Sequence, residues 1–281
     1  MTYKKLVNEI EIPKVIHYCW FGGNPLPDIA IKCINSWKKN LPSYEIKEWN
    51  ESNFDVNCCK YVQEAYNAKK WAFVSDFARF WILYNFGGLY FDTDVEMLKP
   101  IDDIMTTGPF MGMESKGVVA PGLGIAASCG LPLYKEILDD YINSNFYKFP
   151  GVQEDENVVG KTTRILKKHG FDVTLNTIQN VDGITIYPSE YFAPMNYFTK
   201  EINITENTRT IHLYAATWVN PEEVKINILK SKILKSNSKL RILTYRLRIN
   251  RLKIQNRIKT LGLVGIIKYI IWKLKRKIKN D

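Results

Sequence analysis

What this chain most conspicuously lacks is negative charge near its C-terminal end: between Val224 and Asn280 there is no Asp or Glu. Residues 222–281 carry 18 Lys and Arg against three acids, a net of +15, whereas residues 1–221 carry 21 against 26, a net of −5. A mildly acidic body is therefore joined to a basic tail, and such a tail is attracted to polyanions, either an anionic membrane face or nucleic acid. Cysteine is equally uninformative as a scaffold. The five residues Cys19, Cys33, Cys58, Cys59 and Cys129 are odd in number and show no C-x-x-C spacing, which excludes a disulfide framework and a cysteine zinc site and predicts a reducing cytoplasmic setting. No apolar run approaches the roughly 20 residues that cross a bilayer, since the longest, Leu261 to Trp272, is only about 12 and contains Lys268. Residues 1–13 hold Lys4, Lys5, Glu9 and Glu11 without an apolar core, so no signal peptide is expected.

What is present is enough for a large α/β domain: 281 residues, 46% of them apolar. Lys14 to Phe21 is a short apolar run after Pro13 that ends at Gly22-Gly23, and it predicts a first buried strand. Ile29, Cys33, Ile34 and Trp37 fall at helical spacing, and Tyr44 to Trp49 alternates like a half-exposed strand. This β-α-β opening favours parallel pairing. Phe73, Phe77, Phe80, Trp81 and Tyr84 predict a core helix over 72–86 with a glycine stop, and Leu89 to Asp92 follows as a strand. Further helices are predicted over 132–143 and 158–169, and further strands over 184–187 and 210–214. Beyond Pro221 the stripe Leu240, Leu243, Leu247, Ile254, Ile258, Leu261 predicts amphipathic helices, and a boundary between residues 1–221 and a tail of 222–281.

The chemistry-bearing signal is Phe91-Asp92-Thr93-Asp94-Val95, which sets two carboxylates side by side at the end of a strand. Hard divalent cations such as Mg²⁺ or Mn²⁺ choose oxygen ligands and keep positions open for phosphate oxygens and water. Asp94 is the first choice for direct coordination; Asp92, facing the other way along a regular strand, is left to ribose or to the metal through water. Asp76 and Arg79, three apart on the predicted helix, share one face and suit sugar hydroxyls or a phosphate bridge. Their neighbours Phe77, Phe80 and Trp81 turn that helix toward the core, where charged groups need partners.

Four segments, Val15 to Gly22, Ser75 to Phe80, Gly87 to Asp94 and His212 to Trp218, together resemble the DXD-motif sugar transferases of glycosyltransferase family 32. The spacing of Asp76, Arg79, Asp92 and Asp94 is also similar to that in the catalytic domain of the large clostridial glucosylating toxins. This resemblance, which spans roughly residues 12–220, implies a GT-A type Rossmann-like mixed sheet flanked by helices, a nucleotide-sugar donor such as a UDP-sugar, Mn²⁺ or Mg²⁺, and retention of anomeric configuration. It implies that Trp20 stacks on the base, that Asp76 and Arg79 hold the donor sugar, and that Asp92 and Asp94 serve ribose and metal. His212 corresponds to the histidine near the metal, and Trp218 to the tryptophan on the diphosphate. Thr217 keeps the hydroxyl of the family's usual Ser, while Ala216 replaces its Gly.

Two other motifs do not hold. Asp92-Thr93-Asp94-Val95-Glu96 superficially matches the phosphoaspartate phosphatases, but those prefer Thr or Val where Glu96 stands; Gly160-Lys161-Thr162 lacks the first glycine of a phosphate loop, since Asp155 occupies that place. In the tail, Ile266 to Trp272 followed by Lys273, Lys275, Arg276, Lys277 and Lys279 offers apolar area beside cations, the pattern of a peripheral membrane helix. Its aliphatic interleaving argues against nucleic acid. The expectation is a cytoplasmic enzyme, peripheral at the inner face of the cell membrane, that moves a hexose or its derivative onto a glycan acceptor, lipid-linked, in capsular or surface polysaccharide synthesis. The alternatives are a toxin-like protein glycosyltransferase and a non-catalytic sugar-nucleotide or nucleic-acid binding module.

Overall fold

The computed structural model describes residues 12–154, 156–215 and 221–280. The chain divides into two compact units. The first comprises Met1–Ser144, Glu156–Met195 and Ile202–Ala215; the second comprises Asn145–Asp155, Asn196–Glu201 and Ala216–Asp281.

In the first unit the chain opens as its pattern predicts: β1 (Val15–Cys19), α1 (Asp28–Asn40) and β2 (Glu45–Trp49), with β1 and β2 parallel in the register Val15 to Glu45. After α2 (Lys60–Asn67) and the core helix α3 (Trp71–Phe86), β3 (Gly88–Tyr90) pairs in parallel with the other side of β1. This junction depends on glycine. Gly87 takes φ +65° to end α3, and at Gly88, φ +97°, an added Cβ would stand 2.7 Å from the Val15 carbonyl oxygen.

The chain then leaves the central sheet to form β4 (Val95–Met97), passes through α4 (Asp102–Met105), and returns as β5 (Phe110–Ser115), β6 (Val118–Val119) and β7 (Ile125–Ala127). Helices α5 (Pro132–Ile142) and α6 (Val158–Lys168) follow, with β8 (Tyr147–Phe149) and β9 (Val152–Gln153) between them in the second unit. The first unit is completed by β10 (Gln179–Val181), β11 (Ile184–Tyr187), α7 (Ser189–Phe192) and β12 (Thr210–His212). The main sheet runs β10-β11-β5-β7-β3-β1-β2 with β6 on β5. It is mixed, because β7 is antiparallel to both β3 and β5, whereas β5 and β11 are parallel. Helices flank it, as expected of the mixed α/β class. The core against α1 gathers Ile16, Trp37, Leu89, Phe91, Phe110 and Phe192, all fully buried.

Among the described residues strand β4 pairs with β12 alone, as a separate antiparallel ribbon. Helix α1 clamps that ribbon from its side. Trp37 Nε1 donates to the Val95 carbonyl at 2.8 Å, Ser36 Oγ accepts from Met97 N at 2.8 Å, and Asn40 Nδ2 donates to the Met97 carbonyl at 3.2 Å. The aspartates that precede β4 are thus anchored on both sides of their turn.

The second unit holds the β8–β9 hairpin with α8 (Pro221–Leu234) and α9 (Lys239–Asn280). Gly262, at φ 65° and ψ 174°, breaks α9 into two helical segments.

Candidate active site

Asp92 and Asp94 sit in the turn where the chain passes from the central sheet to the β4–β12 ribbon, with Val95 N bonded to the Asp92 carbonyl at 3.0 Å. The strand before them ends at Tyr90, two residues earlier than its apolar pattern suggests, because β4 pairs outside the sheet. This departure sends the two carboxylates to different partners.

Asp92 faces the core helix. Its Oδ1 lies 3.1 Å from Arg79 Nη2 and accepts from Tyr90 Oη at 3.1 Å, while its backbone N–H is held by the Gly122 carbonyl at 3.0 Å. The other oxygen, Oδ2, occupies space that exists only because residue 122 is glycine: a Cβ there would stand 1.9 Å from it. Arg79 in turn pairs with Asp76 at 3.0 Å and donates Nε–H to the Ser75 carbonyl at 3.2 Å. The pair predicted from i, i+3 spacing therefore exists, and it is joined to Asp92 through a guanidinium only 4% exposed. Burial pushes the Asp76 carboxyl up to about 7; Arg79 opposes that rise and the nearby Asp92 charge adds to it.

Asp94 faces the ribbon. Its Oδ1 meets His212 Nε2 at 2.9 Å, and its Oδ2 accepts from Ala215 N–H at 2.9 Å. Burial alone would raise this carboxyl, but the hydrogen bond and charge of His212, with the Ala215 amide, outweigh it and hold Asp94 below the ordinary range. Burial likewise works against protonation of His212, yet the Asp94 carboxylate lifts it above its usual value. The other ring nitrogen, Nδ1, is buried without a hydrogen-bond partner among the described residues.

Trp20 follows β1, with its indole Nε1–H on the Asn24 carbonyl at 2.6 Å and its ring partly buried against the core. The structure thus gathers Asp76, Arg79 and Asp92 in one network and Asp94 with His212 in another, both springing from one turn. Thr217 and Trp218 lie outside the described residues. Tyr90 shows in the sequence only as one more aromatic in an apolar strand; Gly122-Leu123-Gly124 reads there as either a close approach of backbone to a sugar or a plain turn, and in the structure Gly122 makes room for Asp92 Oδ2. The thiol of Cys19, buried beside this network, is pushed up to about 12 by burial.

Residues 27–111 match the family model of the glycosyltransferase sugar-binding region containing a DXD motif. This span, 85 of the 281 residues, is similar to a glycosyltransferase DXD region. It includes Asp76, Arg79, Asp92 and Asp94, whereas Trp20 and His212 fall outside the matched span. The chain is also similar to inositol phosphoceramide mannosyltransferase 1 of Schizosaccharomyces pombe, 27% identical over 156 residues that make up 50% of this chain and 47% of that protein. Inositol phosphoceramide mannosyltransferase 3 of the same organism is 28% identical over 102 residues, 34% of this chain and 27% of the relative. The chain thus spans about half the length of the first of these relatives and less of the second. Among solved structures, PaToxG glycosyltransferase aligns with a TM-score of 0.43 and 19% identity, over 56% of this chain and 68% of that one.

A divalent metal is usual in DXD glycosyltransferases. Among the described residues no three His, Cys, Asp or Glu side chains form a ligand cage. The donors of the DXD turn are nevertheless hard carboxylate oxygens, with Asp92 Oδ2 packed against Gly122 and Asp94 held by His212 and the Ala215 amide. That set fits an ion bound through one or two carboxylates and otherwise through diphosphate oxygens and water, rather than an ion enclosed by protein.

Proposed function

We propose that the protein is a metal-dependent retaining glycosyltransferase that moves a hexose or its derivative from a nucleotide-sugar, a UDP-sugar, to a glycan acceptor. The acceptor in this reading is lipid-linked, in capsular or surface polysaccharide synthesis, and the enzyme works peripherally at the inner face of the cell membrane. One observation carries it: two carboxylates of a single turn, one locked to a buried Arg-Asp pair and the other to a histidine, with Asp92 Oδ2 in the space that Gly122 leaves open.

In this reading Asp76 and Arg79 bind donor-sugar hydroxyls and Trp20 stacks on the base, its ring fixed by the Asn24 carbonyl. Asp92 and Asp94 would hold Mn²⁺ or Mg²⁺, which when bound neutralises charge growing on the departing diphosphate. His212 keeps Asp94 ionised and aimed, since a carboxylate held low by a cationic partner remains a ligand at neutral pH. Thr217 and Trp218 are assigned to the diphosphate by the family resemblance. A lipid acceptor accords with the relatives, which are named inositol phosphoceramide mannosyltransferases.

The test is a screen of UDP- and GDP-sugars for hydrolysis with and without Mn²⁺. One donor class should turn over only with the metal, and NMR of the released sugar should show the donor's own anomer first. Absence of turnover for every donor, together with no calorimetric binding of nucleoside diphosphate, would remove the proposal.

A further inference from the structure

The tail helix α9 has two apolar faces rather than one. The first is packed within the second unit: Ile249 and Tyr269 are buried, Tyr269 and Trp272 lie 5.6 Å and 5.7 Å from the Phe149 ring of the β8–β9 hairpin, and Arg257 stands over the Tyr269 ring at 4.8 Å across the Gly262 break. The aromatic residues that the sequence offers for insertion are therefore engaged inside the unit.

The second face is uncovered. Leu240, Leu243, Leu247, Ile254 and Ile258 recur at intervals of three, four and seven, which puts them on one stripe of a 3.6-residue helix. Their exposure runs from 39% at Ile258 to 74% at Leu240. Past Gly262 the same spacing returns in Val264, Ile267, Ile271 and Leu274, each 47% exposed or more. Cations border the first stripe on both sides, Arg248 and Arg251 along one edge and Arg246 and Lys253 along the other. Aliphatic side chains in line between rows of Lys and Arg match the interface of a bilayer, where the chains meet acyl carbons and the cations meet headgroup phosphates.

We infer that α9 docks flat on an anionic lipid bilayer through this aliphatic stripe, with Gly262 dividing the contact into two planks. The inference extends the membrane location of the proposed function and names the surface that provides it. Charge selects the occupant: α9 carries 14 Lys and Arg and no acid, so a second copy laid on the same stripe would bring like charges together, while an anionic lipid face complements them. No helix among the described residues is long and apolar enough to cross a membrane, so the contact lies along the surface.

The full chain should co-sediment with vesicles of phosphatidylcholine and phosphatidylserine, much less with phosphatidylcholine alone, and progressively less as salt rises. Replacing Leu247, Ile254 and Ile258 together by Ser, all at exposed positions, should lower the partition coefficient at least about tenfold while leaving the melting temperature and donor hydrolysis in solution unchanged. The variant Arg248→Gln with Arg251→Gln should lose part of the phosphatidylserine preference. Vesicle binding by the triple-Ser variant equal to that of the parent would overturn the inference. So would a parent protein that ignores vesicles but forms a dimer, by light scattering, that the Ser variant dissociates. Sedimentation without any donor turnover would uphold the docking and reject the transfer reaction; turnover without sedimentation would do the reverse.

Discussion

Asp94 Oδ1 and His212 Nε2 lie 2.9 Å apart although 118 residues separate them, because Val95 and His212 are register partners in the β4–β12 ribbon and Leu213 N bonds the Asp94 carbonyl at 2.9 Å. The contact is therefore built by backbone pairing and not by side-chain reach. Asp94→Asn keeps the backbone ladder and an acceptor for Ala215 N–H, but removes the charge that pairs with His212 and that the proposed cation would need. Turnover should fall by about 10² or more, with thermal unfolding displaced little. Metal-dependent hydrolysis and a melting curve on the same sample check both halves.

Among the described residues Arg79 is the only counter-charge against Asp76, and it also meets Asp92. Removing a buried cation from two carboxylates leaves uncompensated charge, which costs about 3 to 5 kcal/mol, so Arg79→Met should melt far below the parent at pH 8. The sign with pH follows from Asp76, whose folded pKa of about 7 lies above its ordinary value: its proton binds more tightly in the folded state, so folding is favoured as pH falls through that range. The variant should recover part of its deficit between pH 8 and pH 5. Chemical denaturation across that range decides it, and a constant deficit would contradict the charge argument.

Much of this arrangement is legible in the sequence for a definable reason. Helix α3 shows through because Phe73, Phe77, Phe80 and Trp81 keep helical spacing up to Gly87, and β1-α1-β2 because period and glycine punctuation agree. Asp76 and Arg79 meet because i, i+3 spacing alone brings them together. What stays hidden is long-range pairing. That β7, in a segment rich in glycine and small residues, is an interior strand with Ile125 to Ala127 fully buried depends on the neighbours β3 and β5, not on its own pattern. Strand β5 itself, Phe110–Ser115, interrupts its apolar run with Gly112 and gives no clear period. A close approach at Gly122 is legible, but its partner is hidden for the same reason: it is a carboxylate 30 positions earlier in the chain.

Gly122→Ala tests that close approach. No positive φ is required there, so the cost is steric: a methyl would stand 1.9 Å from Asp92 Oδ2 and 2.8 Å from its carboxyl carbon. Overpacking of this kind costs about 1 to 3 kcal/mol, and the carboxylate must shift out of register with Arg79. Donor turnover should drop by at least about tenfold through a displacement of the reacting geometry. Gly108→Ala is the matched control, because at φ +88° an added Cβ meets nothing within 4 Å; it should lose some stability to backbone strain and keep its turnover. Equal turnover in the two variants would remove Gly122 from the site.

His17 makes the stability of the fold depend on pH. Trp49 Nε1–H donates to its Nδ1 at 3.1 Å, which leaves Nε2–H to donate to the Gly87 carbonyl at 3.0 Å, so both ring nitrogens are satisfied only in the neutral form. Burial lowers its pKa to about 4; the Gly87 carbonyl opposes that fall and the Lys47 charge adds to it. Protonation would also turn an N–H against the indole N–H. Because the folded pKa lies below the unfolded value of 6.5, the unfolded chain takes up the proton first as pH falls. The stabilisation is complete above pH 6.5, declines from there to about pH 4, and is flat below, with a span of about 3 kcal/mol. His17→Gln cannot titrate, so its stability against urea should fall less steeply than that of the parent over this window, with the two curves parallel above it. Curves parallel throughout would mean that the imidazole protonates in the folded state without losing Trp49.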